Sequence, residues 1–424
     1  MASLLRRRRF LPLFVAQSLG AFNDNLAKTA LAMLVLYGGS GRGWLVPASA
    51  ASFVAPYALF GALAGGISDR DSKTRLLRLT KLTELALMLG FAAALLARAE
   101  LALLGLLFLL GVQATFFGPL KYGLLPELLA EDELLRGNGL TEAGTFFAIL
   151  AGTQIGAWVT PRVGGPAMVA GLLVAAGGIG LATAGLVPGR PAAAPDLALA
   201  WHPVRALRDL LATARGARAA WRSALAISWF WALGLVFLSE FPLLGRQVFG
   251  ADSGLAAVML GAFTVGIGAG SALAGRLRAR PASGGRMAAT SLAVMGAATL
   301  GFAGLAATIT PATGLTSLGA LLTAPRGWAL LALLALVAGA GGTYSVPLYA
   351  RLQWAAPRRA RARLVAANNV LNAGAMVGAS CVLAGLTALG ATPPLVLMGF
   401  GAASLGLVAV LWRDAGLNTA AGAG

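Results

Sequence analysis

Apolar residues run through this chain in blocks of about twenty, separated by short polar segments, without a sustained alternation of apolar and polar positions. A bilayer's hydrocarbon core of about 30 Å takes about 20 apolar residues per helix. Lipid offers no partner to backbone polar groups outside helices and closed barrels. The blocks therefore predict transmembrane helices at 10–37, 45–68, 76–98, 101–122, 138–160 and 167–188, then at 223–245, 254–276, 287–309, 328–350, 364–388 and 393–412. An outer-membrane barrel would show short alternating strands instead. The predicted class is an all-α integral membrane protein of twelve transmembrane helices in two six-helix halves.

The longest polar break, 189–222, holds Pro191 and Pro195 and then Arg205, Arg208, Arg215, Arg218 and Arg222. It divides the chain into an N-terminal half, 1–188, and a C-terminal half, 223–412, with a tail at 413–424. A weak internal repeat supports the division. Asn138-Gly139-Leu140-Thr141-Glu142-Ala143-Gly144 aligns with Asn368-Asn369-Val370-Leu371-Asn372-Ala373-Gly374 at an offset of 230 residues, and both open the fifth helix of their half. Gly118-Pro119-Leu120 and Val346-Pro347-Leu348 correspond with a two-residue slip. Parallel repeats with a site between them are a transporter pattern.

Composition sharpens this reading. Of 424 residues, 58% are hydrophobic and 11% charged, and the mean hydropathy is +0.79, where a soluble domain carries about 25% charged residues. The net charge of +18 raises nucleic acid as a partner, but its distribution excludes it. With the N-terminus inside, 27 of 33 Lys and Arg fall in cytoplasmic segments; Arg42, Arg98, Arg162, Arg246 and Arg326 face outward and Lys28 lies within the first helix. That bias fixes both termini in the cytoplasm of an inner membrane and favours anionic lipids of the facing leaflet. Arg6-Arg7-Arg8-Arg9 mimics a twin-arginine signal, yet the following apolar stretch carries Asp24 and Lys28 and is succeeded by many more spans, so an uncleaved first helix is expected. One cysteine, Cys381, and one histidine, His202, build neither a disulfide framework nor a His/Cys metal site. No phosphate-binding loop or His-Glu-x-x-His pattern is present, so no cofactor and no ATP-driven step are expected.

Ionised groups near mid-bilayer cost roughly 2.5 kcal/mol or more and face a partner or a cavity. Asp24 and Lys28 are such groups. Their i, i+4 spacing puts them on one face with Gln17, and Asp24 lies about 21 Å into the span. They line a cavity or lock the bundle as an ion pair; a buried pair stabilises poorly compared with apolar packing, which favours the cavity. On the fifth helix Asn138, Thr141, Glu142 and Thr145 form a polar stripe. Glu240 and Arg246 bracket Pro242 at the outer end of the seventh helix, where Arg246 also suits simple snorkelling. Lys121 lies near the inner surface.

After the second helix, Gly65-Gly66-Ile67-Ser68-Asp69-Arg70-Asp71-Ser72-Lys73-Thr74-Arg75 resembles the cytoplasmic loop signature of the major facilitator superfamily, with Ser72 where a glycine is usual. Its counterpart after Gly275 keeps Arg276, Arg278 and Arg280 without the acid. The resemblance implies a gating loop of Asp69, Arg70 and Arg75, with Asp69 pairing to a neighbouring helix; the alternative is a solvated basic loop. Phe22-Asn23-Asp24-Asn25, Lys121-Tyr122-Gly123-Leu124-Leu125-Pro126-Glu127 and Asn138-Gly139-Leu140-Thr141-Glu142-Ala143 together resemble the bacterial lysophospholipid transporter family of that superfamily, strongly over residues 10–155 and thinly beyond. Asn23 stands where the family pattern has glycine, and Pro126 replaces another glycine.

The resemblance implies movement of lysophospholipids from the outer to the inner leaflet, with reacylation by an acyltransferase on a separate chain. A lysolipid headgroup carries a phosphate and often an amine, so a site between the halves needs both signs of charge. Asp24, Asn25, Lys28, Lys121, Glu142, Glu240, Arg246 and Asn372 are the expected lining. Export of drugs or other amphipaths fits the same architecture, since fold alone does not choose a substrate. A membrane-embedded enzyme or scaffold fits less well, because no nucleophile or metal constellation is present.

Overall fold

The computed structural model describes residues 2–37, 42, 44–249, 253–277, 284–309 and 317–420. Its long helices are α1 Leu11–Tyr37, α2 Leu45–Arg70, α3 Lys73–Leu96, α4 Glu100–Leu128, α5 Leu134–Val159, α6 Gly165–Gly185, α7 Arg218–Leu243, α8 Ser253–Ala274, α9 Gly284–Ala307, α10 Pro325–Ala355, α11 Arg361–Ala388 and α12 Pro393–Ala420. An amphipathic linker helix, Pro203–Gly216, precedes α7. No strand occurs among the described residues. Among the described residues, nine of these helices are long and apolar enough to cross a membrane; α1, α5 and α8 fall outside that set, the last with a described apolar stretch of Val258–Ala274. Polar groups clustered on α1 and α5 lower their hydropathy, and those same groups are the chemical candidates.

The chain packs as two compact units. One comprises Met1–Gly137, Gly144–Arg222 and Leu352–Ala373; the other comprises Asn138–Ala143, Ser223–Arg351 and Gly374–Gly424. In the first, α1 packs on α6 and α4, α2 on α4, and α3 on α4 and α6. Without a hydrophobic drive between helices in lipid, close approach depends on small residues. A Cβ added at Gly111 of α4 would lie 2.3 Å from the Phe53 carbonyl oxygen of α2, and one at Gly152 of α5 would lie 2.5 Å from the Phe22 carbonyl oxygen of α1. In the second unit α9 runs along α12. There α8 and α10 meet at Gly266 and Gly270 against Ala338 and Gly339, and Gly342 abuts the Ile267 carbonyl. The α5–α6 turn closes on Gly164 at φ 72, a left-handed conformation that glycine adopts without steric cost.

The start of α11 joins the first unit by hydrogen bonds. Asp69, at the end of α2, accepts from the backbone N–H groups of Ala362 and Arg363 at the N-terminus of α11. The contact boundary therefore cuts within α11 and does not follow the polar linker alone.

Candidate functional site

The first unit holds a polar cluster inside its apolar wall. Asp24 of α1 is half-buried and interacts electrostatically with Lys28, Lys81, Lys121 and Glu84. No ion pair between Asp24 and Lys28 is among the described contacts; the Lys28 ammonium stands over the Phe53 ring at 4.5 Å from its centroid. Asn25 donates to the Ala21 carbonyl at 2.7 Å, within its own helix. The Lys121 ammonium stands over the Tyr122 ring at 4.7 Å.

Behind Asp24 lies a fully buried ionic core. Lys81 Nζ donates to Glu84 Oε2 at 2.6 Å, Gln113 Nε2 to the same oxygen at 3.2 Å, and Asn23 Nδ2 to Glu84 Oε1 at 3.3 Å. Lys81 also stands over the Phe117 ring at 4.5 Å. Gly20 leaves room for the ammonium, since a Cβ there would lie 2.7 Å from Nζ. These bonds join α1, α3 and α4, and they fix the rotation of α1, because Asn23 turns into the core while its neighbour Asp24 keeps partial access. Lys81 is thus a buried residue of the first unit, whereas the charge count places it with the polar segments. Its signal in the sequence was an opposite-charge i, i+3 pair inside an apolar helix.

A second cluster surrounds Asp69, which is fully buried. Its carboxylate accepts from Ala362 N at 2.9 Å, Arg363 N at 3.1 Å and Arg363 Nε at 3.3 Å. Aspartate at a helix N-terminus satisfies donors that lack an intrahelical partner and complements the helix dipole. Lys73 pairs with Glu127 at 2.8 Å, both buried, and Arg361 interacts with Glu127 and Asp69. The linker clasps the same loop. Ala194 N donates to the Asp69 carbonyl at 2.8 Å, Ser72 Oγ to the Arg190 carbonyl at 2.7 Å, Thr74 Oγ1 to the Pro188 carbonyl at 3.0 Å, and Arg359 pairs with Asp196 at 3.1 Å. Ser72 thus has a use that glycine lacks. Arg70 and Arg75 are exposed and take no part in the Asp69 bonds.

Of the remaining expected residues, Asn372 is buried in α11 in the first unit, whereas Glu142 and Glu240 are buried in the second. The side chain of Arg246 and residues 278 and 280 lie outside the described residues. On α5, Thr145 donates to Gln17 Oε1 of α1 at 2.9 Å, and both residues lie in the first unit. Glu127 closes the Lys121–Glu127 motif, and a buried lysine, Lys73, gives it its role.

No protein-family profile matches the chain. A curated relative named Lysophospholipid transporter LplT, from Pectobacterium carotovorum, is 30% identical over 287 residues, covering 65% of this chain and 66% of the relative. The protein of the same name from Salmonella typhimurium is 34% identical over 149 residues, 34% of this chain and 35% of its own length. The chain is a homologue of the lysophospholipid transporters. These matches span about two thirds of the first relative and about one third of the second. The fold of this homologue is that of solved major facilitator transporters. FucP in the outward conformation superposes with TM-score 0.71 at 13% identity, over 96% of this chain and 99% of that one. A bacterial homologue of the iron transporter ferroportin gives TM-score 0.69 at 13% identity, over 97% and 99%. The lysophospholipid-transporter homologue is accordingly a multi-pass membrane protein of major facilitator fold, and its relatives are named as transporters, not enzymes.

Proposed function

We propose that this protein is a secondary transporter that carries lysophospholipids from the outer to the inner leaflet of a bacterial inner membrane by alternating access, with both termini in the cytoplasm. The observation that carries the reading is the charge cluster on α1, α3 and α4. It offers the partly accessible Asp24 beside Lys28, Lys81 and Lys121. A zwitterionic headgroup needs both signs, and charge-assisted bonds in a low-dielectric setting are the strong ones. In this reading Lys28 and Lys121 meet the phosphate and Asp24 the amine, while the acyl chain stays among apolar side chains. The buried Lys81–Glu84 pair holds the cluster in register. Asn25 and Asn372, in the same unit, complete the polar lining.

The Asp69 cluster serves as the latch of the cycle. Its carboxylate releases α11 when the cytoplasmic end opens, and the linker segment at 188–196 releases with it. The names of the curated relatives support the substrate class.

The test is reconstitution in liposomes with a fluorescent lysophosphatidylethanolamine and a membrane-impermeant quencher. Protein-dependent protection from the quencher is expected, reduced about ten-fold or more in Lys121→Ala, the scale of one lost charge-assisted contact. Unchanged movement in a folded Lys121→Ala protein would contradict the site, and absence of movement for every headgroup would contradict the substrate class.

A further inference from the structure

The second unit carries a site that the transport reading above does not use. Glu240 sits near the C-terminal end of α7, about 26 Å along the axis from Ser223. It is 1% exposed, and neither carboxylate oxygen has a hydrogen-bond partner among the described residues. It borders a groove of about 580 Å³ lined by Ser239, Leu243, Ser380, Leu383, Thr387 and the alanines 384 and 388. Among the described residues, no other titratable side chain lines that groove. A carboxylate buried without a partner is costly, and in a membrane helix it marks function by default.

The groove's polar chemistry points one way. Ser380 Oγ donates to the Met376 carbonyl at 3.0 Å, and Thr387 Oγ1 donates to the Leu383 carbonyl at 2.9 Å. Each hydroxyl has one proton, so both present only lone pairs to the groove. Two acceptor hydroxyls and the Ser239 hydroxyl, which can accept as well as donate, beside an acceptor-only carboxylate suit a cationic donor. An ammonium has three N–H donors and no acceptor. The walls contributed by Leu243, Leu383, Ala384 and Ala388 are apolar, and the space is far larger than a proton or a small metal ion needs.

We propose that the Glu240 groove is a binding site for an alkylammonium group, with the charge on Glu240 and the hydroxyls and the alkyl stem along the apolar wall. The carboxylate meets the ligand by turning about its side-chain torsions toward the groove. The assignment is independent of the lysolipid reading, since it concerns recognition of an amine on an apolar chain.

The experiment is thermal unfolding of the full-length protein, purified in an uncharged detergent, with n-octylammonium or n-octanol added. The ammonium is expected to raise the unfolding temperature of the wild type and the alcohol to leave it unchanged. In Glu240→Gln the apparent affinity for the ammonium falls about ten-fold or more, as expected for loss of a charge-assisted pair. Ala384→Leu, which fills the groove and keeps the acid, abolishes the shift and covers the case in which Glu240→Gln does not fold. Equal shifts from the two additives, no shift from either, or full affinity in both variants would overturn the proposal.

Discussion

A lysine inside an apolar helix is held there by whatever replaces its water. For Lys81 the replacement is the Glu84 carboxylate at 2.6 Å and the Phe117 ring face. Glu84 in turn accepts from Lys81, Gln113 and Asn23. Removing one member of such a pair leaves a buried charge uncompensated, at a cost of about 3–5 kcal/mol, while replacing both by apolar groups of similar volume is often neutral. Lys81→Met is therefore expected to lower unfolding stability by about that amount, and the double variant Lys81→Met/Glu84→Met to recover most of it. Denaturant titration in detergent reads both; a double variant as unstable as the single one would contradict the account. At this scale the sequence displayed Asp24, Lys28 and Lys121 plainly, because each interrupts an apolar run. It hid Lys81, which lies close enough to the basic loop of 70–78 to be counted with it, and its contacts with Glu84 and Phe117 separate the two.

Between elements, the contacts with function are helix ends and glycine faces. Asp69 neutralises two unpaired N–H groups at the start of α11, so Asp69→Ala leaves both buried donors unmet, a penalty of about 1–3 kcal/mol each. Asp69→Ala is expected to slow lysolipid movement about ten-fold, on the same penalty, with substrate binding near normal; initial rates against binding isotherms separate the two. Arg70→Ala and Arg75→Ala, both exposed, are expected to change the rate little. Equal losses for all three would place the loop's role in its charge and not in the cap. On the packing side, Gly111→Val sets a side chain against the Phe53 carbonyl, 2.3 Å from the added Cβ. It is expected to destabilise the first unit by roughly 1–3 kcal/mol or more, measured as a lower unfolding temperature; an unchanged value would contradict the close α2–α4 contact. The loop signature made Asp69 legible in the sequence. Its partners Ala362 and Arg363 were not, because a backbone N–H carries no sequence mark and lies almost three hundred positions away, and the linker clasp was hidden because Ser72, Arg190 and Ala194 form no pattern along the chain.

Across the whole molecule, hydropathy and charge bias carried the helical membrane architecture, since lipid permits few alternatives to a helix. The contact units add what periodicity cannot show: the opening of α11 belongs with the first unit, tied by Asp69, and residues 138–143 of α5 belong with the second. The proposed substrate class was legible only through the resemblance carried by three local motifs, and the names of the relatives agree with it. A drug exporter of the same fold would need no phosphate-binding lysines, so headgroup dependence separates the two readings. The measurement that tests the central claim most directly is inward movement of a labelled lysophospholipid in spheroplasts lacking their own transporter, with the wild type, with Asp24→Ala and with no added protein. The account predicts uptake that requires the protein and falls about ten-fold or more in Asp24→Ala at equal membrane abundance, as for loss of a buried charged contact. Well-inserted wild-type protein that moves no lysolipid of any headgroup, or Asp24→Ala protein that moves it at the wild-type rate, would contradict it.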